Sequence, residues 1–213
     1  MTKQDSIDAL LGIASAPLGP AEAVSSATLL EASEGMRAVM SVLRRRNGFY
    51  AFESALLFRP LSSCGSVRGI IEWNSPAGWR AAYGDAARGI TFFAEDIFAV
   101  QFGITASGVV SFNPETAEII ELTKTLSEWV GAVLSDYAEL TGWPLAREWQ
   151  ATHGPIPPGK RLLPRKPFVL GGEYEVGNLV AVDEQEAITK LGRLYAQIAR
   201  LPDGQSVTLS DWL

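Results

Sequence analysis

Between residues 90 and 122 the chain lays down four short apolar segments joined by connections too short to carry a crossover helix, and that pattern dictates antiparallel pairing. Residues 90–94 form the first segment. Phe98, Val100, Phe102 and Ile104 then alternate with Ala99, Gln101 and Gly103, the two-residue period of a strand with one face of large side chains. "SG" at 107 and 108 turns the chain into "VVSF", and "NPET", with proline at its favoured second position, turns it into "AEIIEL". The expectation is a meander. Within it, "TFFAEDIFAVQFGIT" (residues 91–105) surrounds two adjacent carboxylates, Glu95 and Asp96, with large apolar side chains. Successive residues of an extended chain point to opposite faces, so these acids would not converge on one bond as a catalytic pair must. They read instead as a solvated corner between two strands that decorates an acidic surface.

Helical patterns flank this sheet. Residues 6–14 are a short helical candidate, and "SAPLGPAEAVSSA" follows as an arm or linker, so residues 1–30 read as an N-terminal arm or short helix and residues 31–213 as one domain. Met36, Val39, Met40 and Leu43 fall at helical spacing, and "NG" at 47 and 48 stops that helix. Arg44, Arg45 and Arg46 suit the negative end of its dipole better than they suit a phosphate site. "FYAFESALLFRPL" reads as a helical turn leading into a strand near residues 55–60. "GIIEWNSPAGWRAAYGDA" reads as a helix carrying Trp73 and Trp79, with a break signalled by Pro76 and Gly78. Thr125 and Glu128 form a capping box for a helix through Val133, and Pro144 opens another through Trp149. "HGPIPPGKRLLPRKP" reads as an irregular, proline-rich basic connection. A last strand near residues 173–182 leads into a helix capped by Asp183 with Glu186. The fold class is α+β, a mostly antiparallel sheet flanked by helices.

Composition narrows the function classes. Lys+Arg 18 against Asp+Glu 24 gives a net charge of -6 and a pI near 4.9, a field that repels phosphate backbones and anionic lipid but admits a basic partner. Direct nucleic-acid binding and membrane association are therefore not expected. The single cysteine, Cys64, cannot form an intramolecular disulfide, which points to a reducing, cytoplasmic setting. Asp5 and Asp8 interrupt the basic region that a secretory signal requires, and no uninterrupted apolar run approaches a membrane span. His153 is the lone histidine, following a helix where it suits packing or the helix dipole better than base catalysis. One His and one Cys are too few for a zinc site, and no calcium loop or phosphate-binding glycine loop is present. No metal, cofactor or catalytic residue is expected. Six tryptophans exceed what the core requires, and Trp73 or Trp79, if partly exposed, would make an interface anchor.

Taken together, "NGFYAFESALLFRPL", "IIEWN", "FFAEDIFAVQFGI", "GVVSFNPETAEI", "WVGAVL", "KPFVLGGEY" and "NLVAVD" resemble members of the SUKH superfamily of bacterial proteins over roughly residues 30–205. The chain departs from that pattern at Ala99, where relatives carry a glycine, and at Asn113 and Ala117, where an aspartate and a glycine often flank the turn. The resemblance implies an α+β domain without catalytic residues and, for many members, a role as an immunity protein that binds and neutralises a secreted toxin, often a nuclease. The expected function is thus non-catalytic neutralisation of a basic toxin. Charge and hydrophobic type, not the family, suggest Glu72, Glu95 and Asp96 around Trp73 as the contact surface. Two alternatives differ in class: a cytosolic regulatory or scaffolding adaptor, and a small-molecule enzyme whose carboxylates come from different strands. The enzyme would require a deep pocket holding buried acids of raised pKa.

Overall fold

The computed structural model describes residues 3–21, 33–199, 201, 202 and 212. The expected meander is present and longer than its sequence pattern: β1 (Phe49–Ala51), β2 (Leu56–Phe58), β3 (Thr91–Glu95), β4 (Gln101–Ile104), β5 (Val109–Phe112) and β6 (Ile119–Thr123) pair antiparallel in chain order. A second, two-stranded antiparallel sheet joins β7 (Lys160–Pro164) to β8 (Leu179–Asp183). The helices are α1 (Lys3–Ile13), α2 (Glu34–Arg45), the single turn α3 (Ile70–Trp73), α4 (Leu126–Ser135), α5 (Tyr137–Thr141), α6 (Trp143–His153) and α7 (Glu184–Ile198). The fold is α+β.

Both faces of the large sheet are covered, which is why β1 to β5 are apolar almost throughout. On one face α1, α2 and α4 bring Leu10, Val39, Leu43, Trp129 and Val133 against Phe49, Phe58, Phe93 and Phe102. Trp129 meets Phe93 edge-on at 5.0 Å and Phe102 at 5.1 Å, so truncating it to alanine would cost about 3–5 kcal/mol. On the other face α7 packs Ile188, Leu191 and Leu194 over Trp79, Tyr83, Phe92 and Phe112. A third cluster, around Ile97, Trp149, Ile156 and Leu162, joins α6 and the small sheet to the end of the large one.

Several helix boundaries follow from the chemistry read in the sequence. The Thr125 hydroxyl accepts from the Glu128 amide at 3.2 Å, and the Glu128 carboxylate reaches back to the Lys124 amide at 3.0 Å. Asp183 accepts from the Gln185 and Glu186 amides at the start of α7. After α2 the chain reverses through Gly48 at φ +71°, where a Cβ would lie 2.5 Å from the Pro60 nitrogen.

Several stretches differ from expectation: the segment carrying Trp73 and Trp79 is the single turn α3 followed by the 3₁₀ turns Trp79–Ala82 and Gly84–Ala87, not one helix, and the last strand begins at Leu179, not near residue 173. Residues 49–58 form a hairpin, not a helical turn, because Phe52, Glu53 and Ser54 all adopt positive φ and the Ala55 amide closes onto the Phe52 carbonyl. Residues 160–164, inside the proline-rich connection, are a strand whose Pro164 ends the ladder where its missing N–H matters least.

In a meander alternate turns emerge at the same end. The β1–β2, β3–β4 and β5–β6 turns therefore share one end of the sheet, and α5, α6 and the 3₁₀ turn Phe168–Leu170 pack there. The candidate site lies at that end.

Candidate functional site

Glu95, the last residue of β3, is fully buried rather than solvated. Its Oε2 lies 2.6 Å from Arg59 Nη2, an ion-pair approach without hydrogen-bond alignment, and its Oε1 accepts from Arg161 Nε at 2.6 Å. Arg59 also donates to both Glu184 oxygens at 3.2 Å, and Gln101 donates to Glu95 Oε2 at 2.8 Å. Each arginine lies over an aromatic ring, Arg59 over Trp73 at 3.5 Å and Arg161 over Tyr50 at 5.4 Å. Two guanidiniums thus face two carboxylates in a closed, charge-balanced cluster. Burial alone would raise the Glu95 carboxyl, but Arg59 and Arg161 outweigh it and hold the group below the usual glutamate value.

Asp96 points the other way, as the alternation of an extended chain requires. It is 6% exposed, and its Oδ1 accepts from the Phe98 and Val100 amides, both at 2.8 Å, closing the β3–β4 turn. Burial pushes its carboxyl up to about 8, against the pull of those two amides. The side chain lines a solvent-open cavity of about 440 Å³. Glu115, from the β5–β6 turn and also buried, lines the same cavity, and its Oε1 and Oε2 accept from the Phe168 amide at 3.1 Å and the Val169 amide at 2.6 Å. Burial raises the Glu115 carboxyl too, and the two amides oppose the rise.

Glu139, on α5, adds a third carboxylate to the cavity wall. Phe98, Phe168 and Tyr174 supply its aromatic surface, with Tyr174 stacked on Phe168 at 3.9 Å and 65% exposed at the rim. Desolvation raises the Tyr174 phenol, and the carboxyls of Glu115, Asp96 and Glu139 reinforce the shift when ionised. Gly142, at φ +67°, lets Phe98 fold in: a Cβ there would meet the ring at 2.4 Å. Among the described residues no basic side chain forms an ion pair with Asp96, Glu115 or Glu139. Nor do any three His, Cys, Asp or Glu side chains converge closely enough to hold a metal ion.

These placements correct the contact surface expected from sequence. Glu95 is sealed among arginines because both sheet faces are covered, so no solvated corner exists at the end of β3. Asp96 belongs to a recess, not to an open acidic surface. Trp73 is 1% exposed and is a core residue, its indole donating to Gln101 Oε1 at 2.8 Å, and Trp79 is buried beside it. Glu72 alone stays on the surface, where it accepts from the Ser63 amide and hydroxyl, and it does not line the cavity. The sequence reading did not single out Glu115, Glu139 or Tyr174. Asp96 and Glu115 ride on turns that each hold an alanine at positive φ, Ala99 at 66° and Ala117 at 58°. His153 sits at the exposed end of α6, stacked on Trp149 at 4.4 Å.

No protein-family model and no curated protein matches this chain. Its structure is similar to the crystal structure of Atu4351 from Agrobacterium tumefaciens, with a TM-score of 0.56 and 12% identity over 86% of each chain, a likeness that establishes the shared fold alone.

Proposed function

We propose that this chain is a non-catalytic binding protein that captures a basic protein partner at the Asp96–Glu115 cavity. Following the SUKH resemblance, the partner is a bacterial toxin, with a nuclease the best fit, neutralised in the cytoplasm. One observation carries the reading: the buried acids Asp96 and Glu115 line a solvent-open recess, and among the described residues neither forms an ion pair with a basic side chain. Burial makes the ionised form of these acids costly, and a basic partner would offset that cost. The net charge of -6 would steer such a partner and compete with its nucleic acid. The exposed Tyr174 and Val169 beside the recess offer the apolar contact that interface anchors need.

A second reading has its own observation. An aspartate protonated near neutrality in a cavity is what a general acid requires. Against it, Asp96 Oδ1 and both Glu115 oxygens are already engaged by backbone amides. That arrangement suits a fixed electrostatic surface better than proton transfer. An adaptor would use the same cavity for a housekeeping protein.

The test is growth protection. Wild-type protein is expressed in cells carrying a basic nuclease toxin, chosen from any encoded near its gene, next to the Asp96→Asn/Glu115→Gln double variant. The reading expects protection by the first and loss with the second while the folded protein level is unchanged. Equal protection by both would remove the cavity from the interface, and no protection by either would favour the adaptor.

A further inference from the structure

The closed cluster and the open cavity are built from the same parts, save one. Inside, each arginine is held by a carboxylate and an aromatic ring together: Arg59 by Glu95, Glu184 and Trp73, and Arg161 by Glu95 and Tyr50. At the cavity the acids Asp96 and Glu115 and the rings of Phe98, Phe168 and Tyr174 are present, and among the described residues no guanidinium lines it. Asp96, 94% removed from solvent, uses Oδ1 for its own turn, and Oδ2 accepts no hydrogen bond among the described residues. Among the described residues no three His, Cys, Asp or Glu side chains converge on one point, so a cation that spreads its charge over several atoms fits better than a compact metal ion. A planar guanidinium does this, offering paired donors to carboxylates and a flat face to rings. The volume, about 440 Å³, lies within the range of sites that enclose small ligands.

We infer that the cavity is a socket for one arginine side chain of the protein partner, its guanidinium set between Asp96 and Glu115 and against Tyr174. This rests on the cavity being the partner-binding site and adds the chemical identity of the group that enters it. Binding is linked to pH. Asp96 must be ionised to pair, and the groups acting on it are Glu95 and Arg161 behind it, with Glu115, Glu139 and Tyr174 around the cavity. Occupancy by a guanidinium therefore strengthens as pH rises, by roughly tenfold per unit below about 8, and levels off above.

The experiment uses N-methylguanidinium on the full chain, followed by amide NMR at pH 6.5 and 8.5, with methylammonium and tetramethylammonium as comparison cations. Four amides report directly on the two carboxylates: those of Phe98 and Val100 on Asp96, and those of Phe168 and Val169 on Glu115. The expected result is saturable shifts at these four, at least tenfold tighter at pH 8.5, and at least tenfold weaker for methylammonium. Asp96→Asn, which keeps the acceptor for its turn, should lose at least tenfold in affinity with an otherwise unchanged spectrum. Tyr174→Ala, at an exposed site, serves if Asp96→Asn misfolds and should weaken binding severalfold. Shifts scattered over the surface, equal responses to all three cations, or affinity unchanged by both variants would overturn the inference. A toxin that binds at the cavity while N-methylguanidinium leaves the four amides unmoved would overturn the arginine socket and leave the partner reading standing.

Discussion

Glu95 and Asp96 are neighbours in sequence, and both are buried, yet they meet opposite fates. Glu95 ends in a cluster where Arg59 and Arg161 balance it together with Glu184, and where Gln101 and a chain of indole donors fix the geometry. Asp96, one residue on, enters a recess lined by further acids, aromatic rings and small or apolar residues, with no basic side chain among the described lining residues. The first carboxylate is held low by its arginines and the second is driven up by burial. Among the described residues, the fold supplies guanidiniums to the buried acid on one side of this strand end and not to its neighbour. A buried charge balanced internally belongs to stability; one left for an outside cation belongs to recognition.

The largest expected effect breaks the closed side. Glu95→Gln leaves two buried guanidiniums facing a neutral amide and should cost about 3–5 kcal/mol in urea unfolding. The pH sign follows from its lowered pKa. The stability Glu95 contributes is present above the usual glutamate value and lost as pH falls through its depressed native value.

Asp96 has the opposite sign. Its raised native pKa contributes stability below the usual aspartate value, and that contribution is lost as pH rises through about 8. Wild-type stability should fall by roughly 1 kcal/mol per pH unit across the upper part of that window. Asp96→Asn should remove this slope and exceed wild type above pH 8, as equilibrium unfolding at several pH values would show. A variant with the wild-type slope would mean that another group titrates there.

Tyr174→Ala sharpens the contrast at the rim. It removes a stacked but largely exposed ring, so stability should drop by no more than about 1 kcal/mol, while toxin affinity should fall severalfold by calorimetry. The smallest effect concerns the turn that carries Glu115. Ala117→Gly relieves a left-handed alanine and should raise stability by about 0.5 kcal/mol, the gain being limited by the freer unfolded chain. It should leave binding unchanged.

The parts of this molecule governed by local chemistry were legible in the sequence, and the parts governed by distant pairing were not. The meander showed because "SG" and "NPET" are strong turn signals, and the starts of α4 and α7 showed because Thr125 and Asp183 are capping residues. The β1–β2 hairpin was hidden because Phe52, Glu53 and Ser54 make its turn without glycine or asparagine. β7 was hidden by the prolines around it.

The charged cluster could not be read at all. Arg59 and Glu184 are 125 positions apart, and Arg161 and Glu95 are 66 apart, so nothing local joins them. The burial of Glu95 and Asp96 did have a trace. In a run as apolar as "TFFAEDIFAVQF", with helical patterns before and after the sheet, both strand faces were candidates for cover, and a carboxylate there had no solvated side to occupy. Glu115 was seen only as part of a turn, because nothing in "NPET" foretells the two amides that meet it from residues 168 and 169.

The central claim, that the fold neutralises Glu95 and leaves Asp96 for a partner, is tested most directly by following the two side-chain carboxyl carbons by ¹³C NMR from pH 3 to 10. The account expects Asp96 to titrate near 8 and to move to lower pH when N-methylguanidinium is added, while Glu95 stays ionised from below the usual glutamate range upward in both samples. An Asp96 midpoint near 4 in the free protein, unmoved by the cation, would show a carboxylate already satisfied and would contradict the claim.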